Sequence, residues 1–306
     1  MKRCFLNERL KNIFLKNRDM RFIKMTGGLG NQMFIYAFYM QMKKHYINTR
    51  IDLSDMVHYK AHNGYEMHRV FNLPPIEFRI NQPLKKVIEF LFFKKIYERK
   101  QVPSSLVPYD KKYFWPLLYF KGFYQSERFF ADMADDIRKA FTFNPRLSNR
   151  KTKEMSEQID HDENAVSIHV RRGDYLEPKY WKTTGCVCQL PYYLNAIAEM
   201  NKRISQPSYY VFSDDIAWVK ENLPLPKAFF IDWNKGAESW QDMMLMSRCR
   251  HHIICNSTFS WWGAWLNPRE NKTVIMPERW FRHCETPDIC PDKWIKVPIN
   301  QPDSIQ

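Results

Sequence analysis

From Ala165 to Met276 the sequence returns repeatedly to one pattern: a short run of β-branched and aromatic residues, a polar cluster, then a longer stretch of helical character. The strand-like runs are Ala165–Val170, Tyr209–Phe212, Ala228–Ile231, Ile253–Cys255 and Thr273–Met276. The helical stretches lie near Pro191–Arg203, from about Asp214, near Ser239–Cys249 and over Ser257–Leu266. Strands that alternate with helices in this way imply a parallel sheet covered on both faces, with ligands at the carboxyl ends of the strands. The polar clusters after the strands are therefore the places to look for chemistry.

The N-terminal part repeats the unit less regularly. Arg21–Met25 reads as a strand, Thr26-Gly27-Gly28-Leu29-Gly30-Asn31-Gln32 as a glycine-rich loop, and Met33–Tyr46 as a helix. A second strand over Thr49–Leu53 hands over to a loop, and prolines at 74, 75, 83, 103, 108 and 116 leave the pattern irregular to about Phe143. The polar stretch Asn144–Asn164 has the composition of a connector or surface helix. A chain of 306 residues can bury two cores. The expectation is an α/β protein of two Rossmann-like domains, 1–150 and 151–306.

Apolar residues make up 44% of the chain, enough to argue against disorder. The net charge of +14 favours polyanions, anionic membrane surfaces or phosphorylated small molecules. Nucleic acid is the weakest of these, because few aromatics are interleaved with the basic runs. Cysteines number seven, and Cys186-x-Cys188 lacks the spacing of a structural zinc site, so all are read as thiols of a reducing cytoplasm. The first twenty residues are polar and basic, unlike a signal peptide, and no run approaches the ~18 apolar residues of a membrane span. Leu84–Tyr97 sets Val87, Ile88, Leu91 and Phe92 among Lys85, Lys86, Lys94 and Lys95. It reads either as a helix packed on the core or as a peripheral contact with the inner face of the plasma membrane.

Four clusters are candidates for function. In His169-Val170-Arg171-Arg172-Gly173-Asp174, adjacent arginines at a strand end suit a pyrophosphate, since guanidiniums grip phosphate oxygens bidentately; the bland alternative is a pair bridged to nearby carboxylates. Along the preceding strand Ser167, His169 and Arg171 should share one face, with Val166, Ile168 and Val170 in the core. Asn256-Ser257-Thr258-Phe259-Ser260 opens a helix after a strand and offers hydroxyls and free N–H groups to an anion, or an N-cap alone. Trp261, Trp262 and Trp265 are expected to pack that helix on its sheet, or to lend one ring to a sugar or base. Asp214-Asp215 can accept from guanine or ribose, or cap a helix. Gly28-x-Gly30 lacks the third glycine of a dinucleotide fingerprint, which leaves a nicotinamide or flavin oxidoreductase weakly supported; Asn31 and Gln32 can bind a sugar or cap.

Taken together, GGLGNQMF at 27–34, HVRRGDY at 169–175, VFSDD at 211–215 and NSTFSWWGAWL at 256–266 resemble the marker segments of the α-1,2-fucosyltransferases, glycosyltransferase family 11, over about Phe22 to Trp280. The resemblance implies a GT-B fold, with the acceptor held mainly by the first domain and GDP-L-fucose by the second. It implies that His169, Arg171, Arg172, Asp174, Asp214, Asp215, Asn256, Ser257, Thr258, Phe259 and Ser260 serve the donor. Gly28, Gly30, Asn31 and Gln32 would serve the acceptor or the interdomain contact. It further implies inverting transfer to the 2-hydroxyl of a terminal galactose without metal or cofactor, with Arg172, Asp174 and His169 as catalytic residues. The base that direct inversion calls for is left open between Asp174 and His169.

Overall fold

The computed structural model describes residues 21–57, 59, 62–74, 76, 80, 83, 85–86, 109 and 119–300. Three short strands, β1 (Arg21–Lys24), β2 (Thr49–Asp52) and β3 (Tyr119–Phe120), form a parallel sheet in the order β2-β1-β3. Six more, β4 (Ala165–Val170), β5 (Ser208–Ser213), β6 (Ala228–Ile231), β7 (His251–Ile253), β8 (Val274–Pro277) and β9 (Ile295–Val297), form a second parallel sheet in the order β6-β5-β4-β7-β8-β9. The chain starts at the centre of this sheet, builds to one edge, and returns to the other side of β4. The crossovers on either side of the β4–β7 pair therefore diverge, and a crevice opens beyond their carboxyl ends.

The helices are α1 (Leu29–His45), α2 (Ala134–Ala140), α3 (Arg150–His161), α4 (Leu190–Arg203), α5 (Ile216–Asn222), α6 (Trp240–Arg248) and α7 (Thr258–Leu266), besides shorter helical turns. The polar connector expected at 144–164 holds α3, which Asn149 caps by accepting from the Thr152 amide at 2.9 Å. Both faces of β4 are buried, as a central parallel strand requires. Val166, Ile168 and Val170 join one core, and the buried Ser167 hydroxyl meets His252 Nδ1 at 2.8 Å.

Two sequence expectations change here. Helix α1 begins at Leu29, inside the glycine-rich segment, so the loop is reduced to its first residues. The reason is packing. A Cβ on Gly30 would stand 2.6 Å from the Thr258 carbonyl carbon, so the missing side chain lets the first turn of α1 sit against the first turn of α7. The tryptophans also do more than hold α7 on its own sheet. Trp262 Nε1 donates to the Gly30 carbonyl at 2.9 Å, Phe34 lies 4.5 Å from Trp261 and 4.9 Å from Trp262, and Phe130 stacks on Trp262. A helix apolar on all sides must be buried on all sides, and α7 achieves this by filling the seam between the halves. The result is the expected GT-B arrangement of two α/β units across a cleft.

Of the run 84–97, only Lys85 and Lys86 are described. Lys85 is buried and paired with Asp52 and Asp55 rather than displayed on a surface. The other residues of that run, and the N-terminal twenty, lie outside the described residues. Among the described residues no helix is long and apolar enough to cross a membrane, and all six cysteines are free thiols.

Candidate functional site

The ends of β4, β5, β6 and β7 and the starts of α1 and α7 meet at one cleft of about 870 Å³. From the C-terminal half come His169 near the end of β4 with Arg171 and Asp174 beyond it, Ser213 ending β5 with Asp214 next, and Asn256–Phe259 after β7; from the N-terminal half come Gly28–Asn31, His62, Glu66, Phe123 and Gln125. The start of α1 carries no side-chain cap. Its first N–H groups are thus open to a ligand, as an anion at a helix N-terminus would use them.

The two arginines have separate surroundings. Arg171 lays Nε and Nη2 on the Asp174 carboxylate at 3.0 and 2.8 Å and stands 4.8 Å from the Tyr175 ring centre. With two of its five N–H donors engaged, the others remain for a ligand. Burial opposes ionisation of Asp174, but the Arg171 fork outweighs it and holds the carboxyl below its ordinary range. Arg172 does not line the cleft: Nε donates to Asp215 at 3.1 Å and its guanidinium lies 4.1 Å over the Trp218 ring.

The acidic pair divides in the same way. Asp214 faces the cleft and accepts the Arg172 amide at 2.8 Å, which requires Gly173, where a Cβ would stand 2.7 Å from the Asp214 carboxylate. Asp215 caps α5 by accepting from the Trp218 amide at 3.1 Å.

His169 lines the cleft with Nδ1 3.2 Å from Cys255 Sγ. Burial, with Arg171 nearby, depresses its pKa to about 3, so the ring is neutral at physiological pH. Asn256 donates both amide hydrogens to carbonyls, Thr184 O and Trp280 O, each at 3.0 Å. Two acceptors fix its orientation, and its 2%-exposed side chain keeps an Oδ1 with no partner among the described residues. Ser257 caps α7 through the Phe259 amide, and the buried Ser260 hydroxyl donates back to the Ser257 carbonyl. Thr258 meets Gly30 across the seam.

On the opposite wall Asn31 accepts from Gln125 Nε2 at 2.8 Å, and the buried Gln125 Oε1 has no partner among the described residues. Gln32 lies behind the wall. Its Nε2 donates to Gly27 O and Gly64 O at 2.9 and 2.7 Å, and its Oε1 accepts from the Glu66 amide at 2.9 Å. It ties the loop 62–66 to the glycine-rich turn.

His62, Glu66, Phe123 and Gln125 were missed by sequence reasoning because they lie in irregular stretches without helical or strand periodicity; the local signal was the turn chemistry of His62-Asn63-Gly64. Asp242 was also missed. Its signal was a lone carboxylate in the apolar run Trp240–Met246. It lines the cleft and accepts from Asn234 Nδ2 at 2.8 Å, and burial raises its pKa to about 7 against that hydrogen bond.

The family model described as Glycosyl transferase family 11 matches residues 8–297. The chain belongs to glycosyltransferase family 11. Its relatives include an α-1,2-colitosyltransferase of Escherichia coli, 32% identical over 90% of this chain and 97% of the relative. The O-antigen biosynthesis glycosyltransferase WbnK, also of Escherichia coli, is 27% identical over 89% of this chain and 99% of the relative. Galactoside alpha-(1,2)-fucosyltransferase 1 of Ateles belzebuth is 31% identical over 49% of this chain and 43% of the relative. The oxidoreductase and nucleic-acid alternatives thus give way to a family 11 glycosyltransferase whose marker segments border one cleft.

Proposed function

We propose that this family 11 glycosyltransferase moves L-fucose from GDP-L-fucose to the 2-hydroxyl of a terminal galactose, inverting the anomeric carbon, in the synthesis of a surface glycan. The observation that carries the reading is the convergence, in one cleft, of the Arg171 guanidinium and the starts of α1 and α7. Negative charge that develops on a leaving diphosphate is stabilised by such preorganised donors, the task a divalent ion performs in other transferases. Arg171 and the α7 start would therefore hold the diphosphate. Arg172 and Asp215 would stiffen the loop behind it, Asp214 would face the nucleoside, and His169 with Asn256 would border the sugar. The α-1,2 relatives and the O-antigen relative support the linkage and the glycan class.

Incubation with GDP-L-fucose and a panel of galactose-terminated oligosaccharides in EDTA is expected to release GDP and yield an α-1,2 product. Silence across the panel would overturn the reading, and activity that returned only on adding Mg²⁺ or Mn²⁺ would overturn its metal-free part. The 32% identity to a colitosyltransferase favours a second reading in which colitose is the sugar transferred. Competition between GDP-L-fucose and GDP-colitose separates the two, the preferred donor having the larger kcat/KM.

A further inference from the structure

Inverting transfer needs an acceptor for the proton of the attacking hydroxyl, placed across the anomeric carbon from the leaving diphosphate. The groups named by the sequence are poorly suited to this. Asp174 is committed to both donors of the Arg171 fork, and His169, with a pKa of about 3, is too weak a base and has Nδ1 against Cys255. Asp214, Asp232 and Asp242 line the cleft from the same half as Arg171. From the opposite half the titratable groups that line it, among the described residues, are His62 and Glu66. Glu66 is occupied by Arg69 at 2.5 Å and Asn63 at 3.3 Å.

His62 has no such engagement. Its imidazole makes no hydrogen bond to a described residue, and its backbone stands at φ 54°, a left-handed conformation uncommon for a non-glycine residue. The ring lies against Gly28, where a Cβ would come within 3.1 Å of it, and the loop behind is tied down by Gln32. The charged groups that face it are Arg171 and Asp174 from across the cleft, with Tyr59 6.3 Å away on its own loop.

We propose that the His62 imidazole is the general base of the transfer. The proposal rests on the inverting reading above. The acceptor oxygen bonds to the anomeric carbon as its O–H bond breaks, the proton passes to His62, and the bond from that carbon to the β-phosphate oxygen breaks with its electron pair leaving on GDP. Partial burial, aided by the Arg171 charge and opposed by Asp174, lowers the His62 pKa below the ordinary imidazole value, so the ring is neutral and able to accept a proton at neutral pH.

The test is steady-state kinetics of wild-type protein, H62A and H62N over pH, with GDP binding measured by calorimetry alongside. Loss of a general base lowers kcat by on the order of 10²–10⁴-fold. Both variants should lose rate to that extent, bind GDP as the wild type does, and lack the acid limb of the wild-type pH profile; added imidazole should restore part of the H62A rate. H62A turnover within a few-fold of wild type, or a reduced rate with the acid limb intact, overturns the assignment while leaving the transferase reading standing. A wild-type protein that transfers to no acceptor overturns both.

Discussion

A carboxylate buried in the cleft wall must give up hydration, and the cost falls on its charged form. Asp242 stands against Asn234, whose side-chain oxygen is already taken by Asn149 Nδ2 and Thr152 Oγ1, so its amide hydrogens are directed at the carboxylate. With the folded pKa raised from 3.8 to about 7, the native state binds the proton more tightly than the unfolded chain does. Any stability gained from the protonated form is complete below pH 3.8 and is lost as pH rises through about 7. D242N, which cannot ionise, should therefore gain Tm over wild type as pH rises through that window, with the largest gap above pH 7. Thermal denaturation between pH 4 and 8.5 checks this, and a constant difference would contradict it. The paired arginines were legible as a charged cluster at a strand end, yet their separate surroundings were not. Only the fold brings Asp215 and Trp218 beside Arg172 while leaving Arg171 at the cleft.

At the scale of elements, the meeting of α1 and α7 sets the position of both helix starts. Trp262, Phe34 and Phe130 make the seam, and Lys272 closes the far end of α7 by donating to the carbonyls of Ala264 and Asn267 at 2.9 and 2.5 Å. G30A should cost about 1–3 kcal/mol, because the new methyl meets the Thr258 backbone, which cannot step aside as a side-chain tip can. Chemical denaturation measures the loss, and reduced GDP affinity should accompany it if the helix starts shift. The strands β4 and β6 and the helix α7 were readable almost to the residue, since each pairs a run of strand or helix formers with a polar cluster at its boundary. Strands β3 and β9, two and three residues long, carry no periodicity to read. Gly30 was read as part of a glycine-rich loop rather than of a helix because a glycine in a sequence does not announce the neighbour that requires it.

For the whole molecule, the order β6-β5-β4-β7-β8-β9 places the crevice, and the seam of aromatic residues fixes the second half against it. The alternating pattern of the C-terminal half made this sheet foreseeable; the walls supplied by loops 62–66 and 122–126 depend on tertiary contacts that no local pattern encodes. The claim on which the functional account depends is that Arg171 holds the diphosphate at this crevice. Calorimetric titration of GDP into wild type and R171A in EDTA tests it most directly. A hydrogen bond to a charged group contributes about 1.5–3 kcal/mol, so R171A should bind GDP roughly 10- to 100-fold more weakly. An R171A protein of unchanged Tm that bound GDP as tightly as wild type would contradict the account.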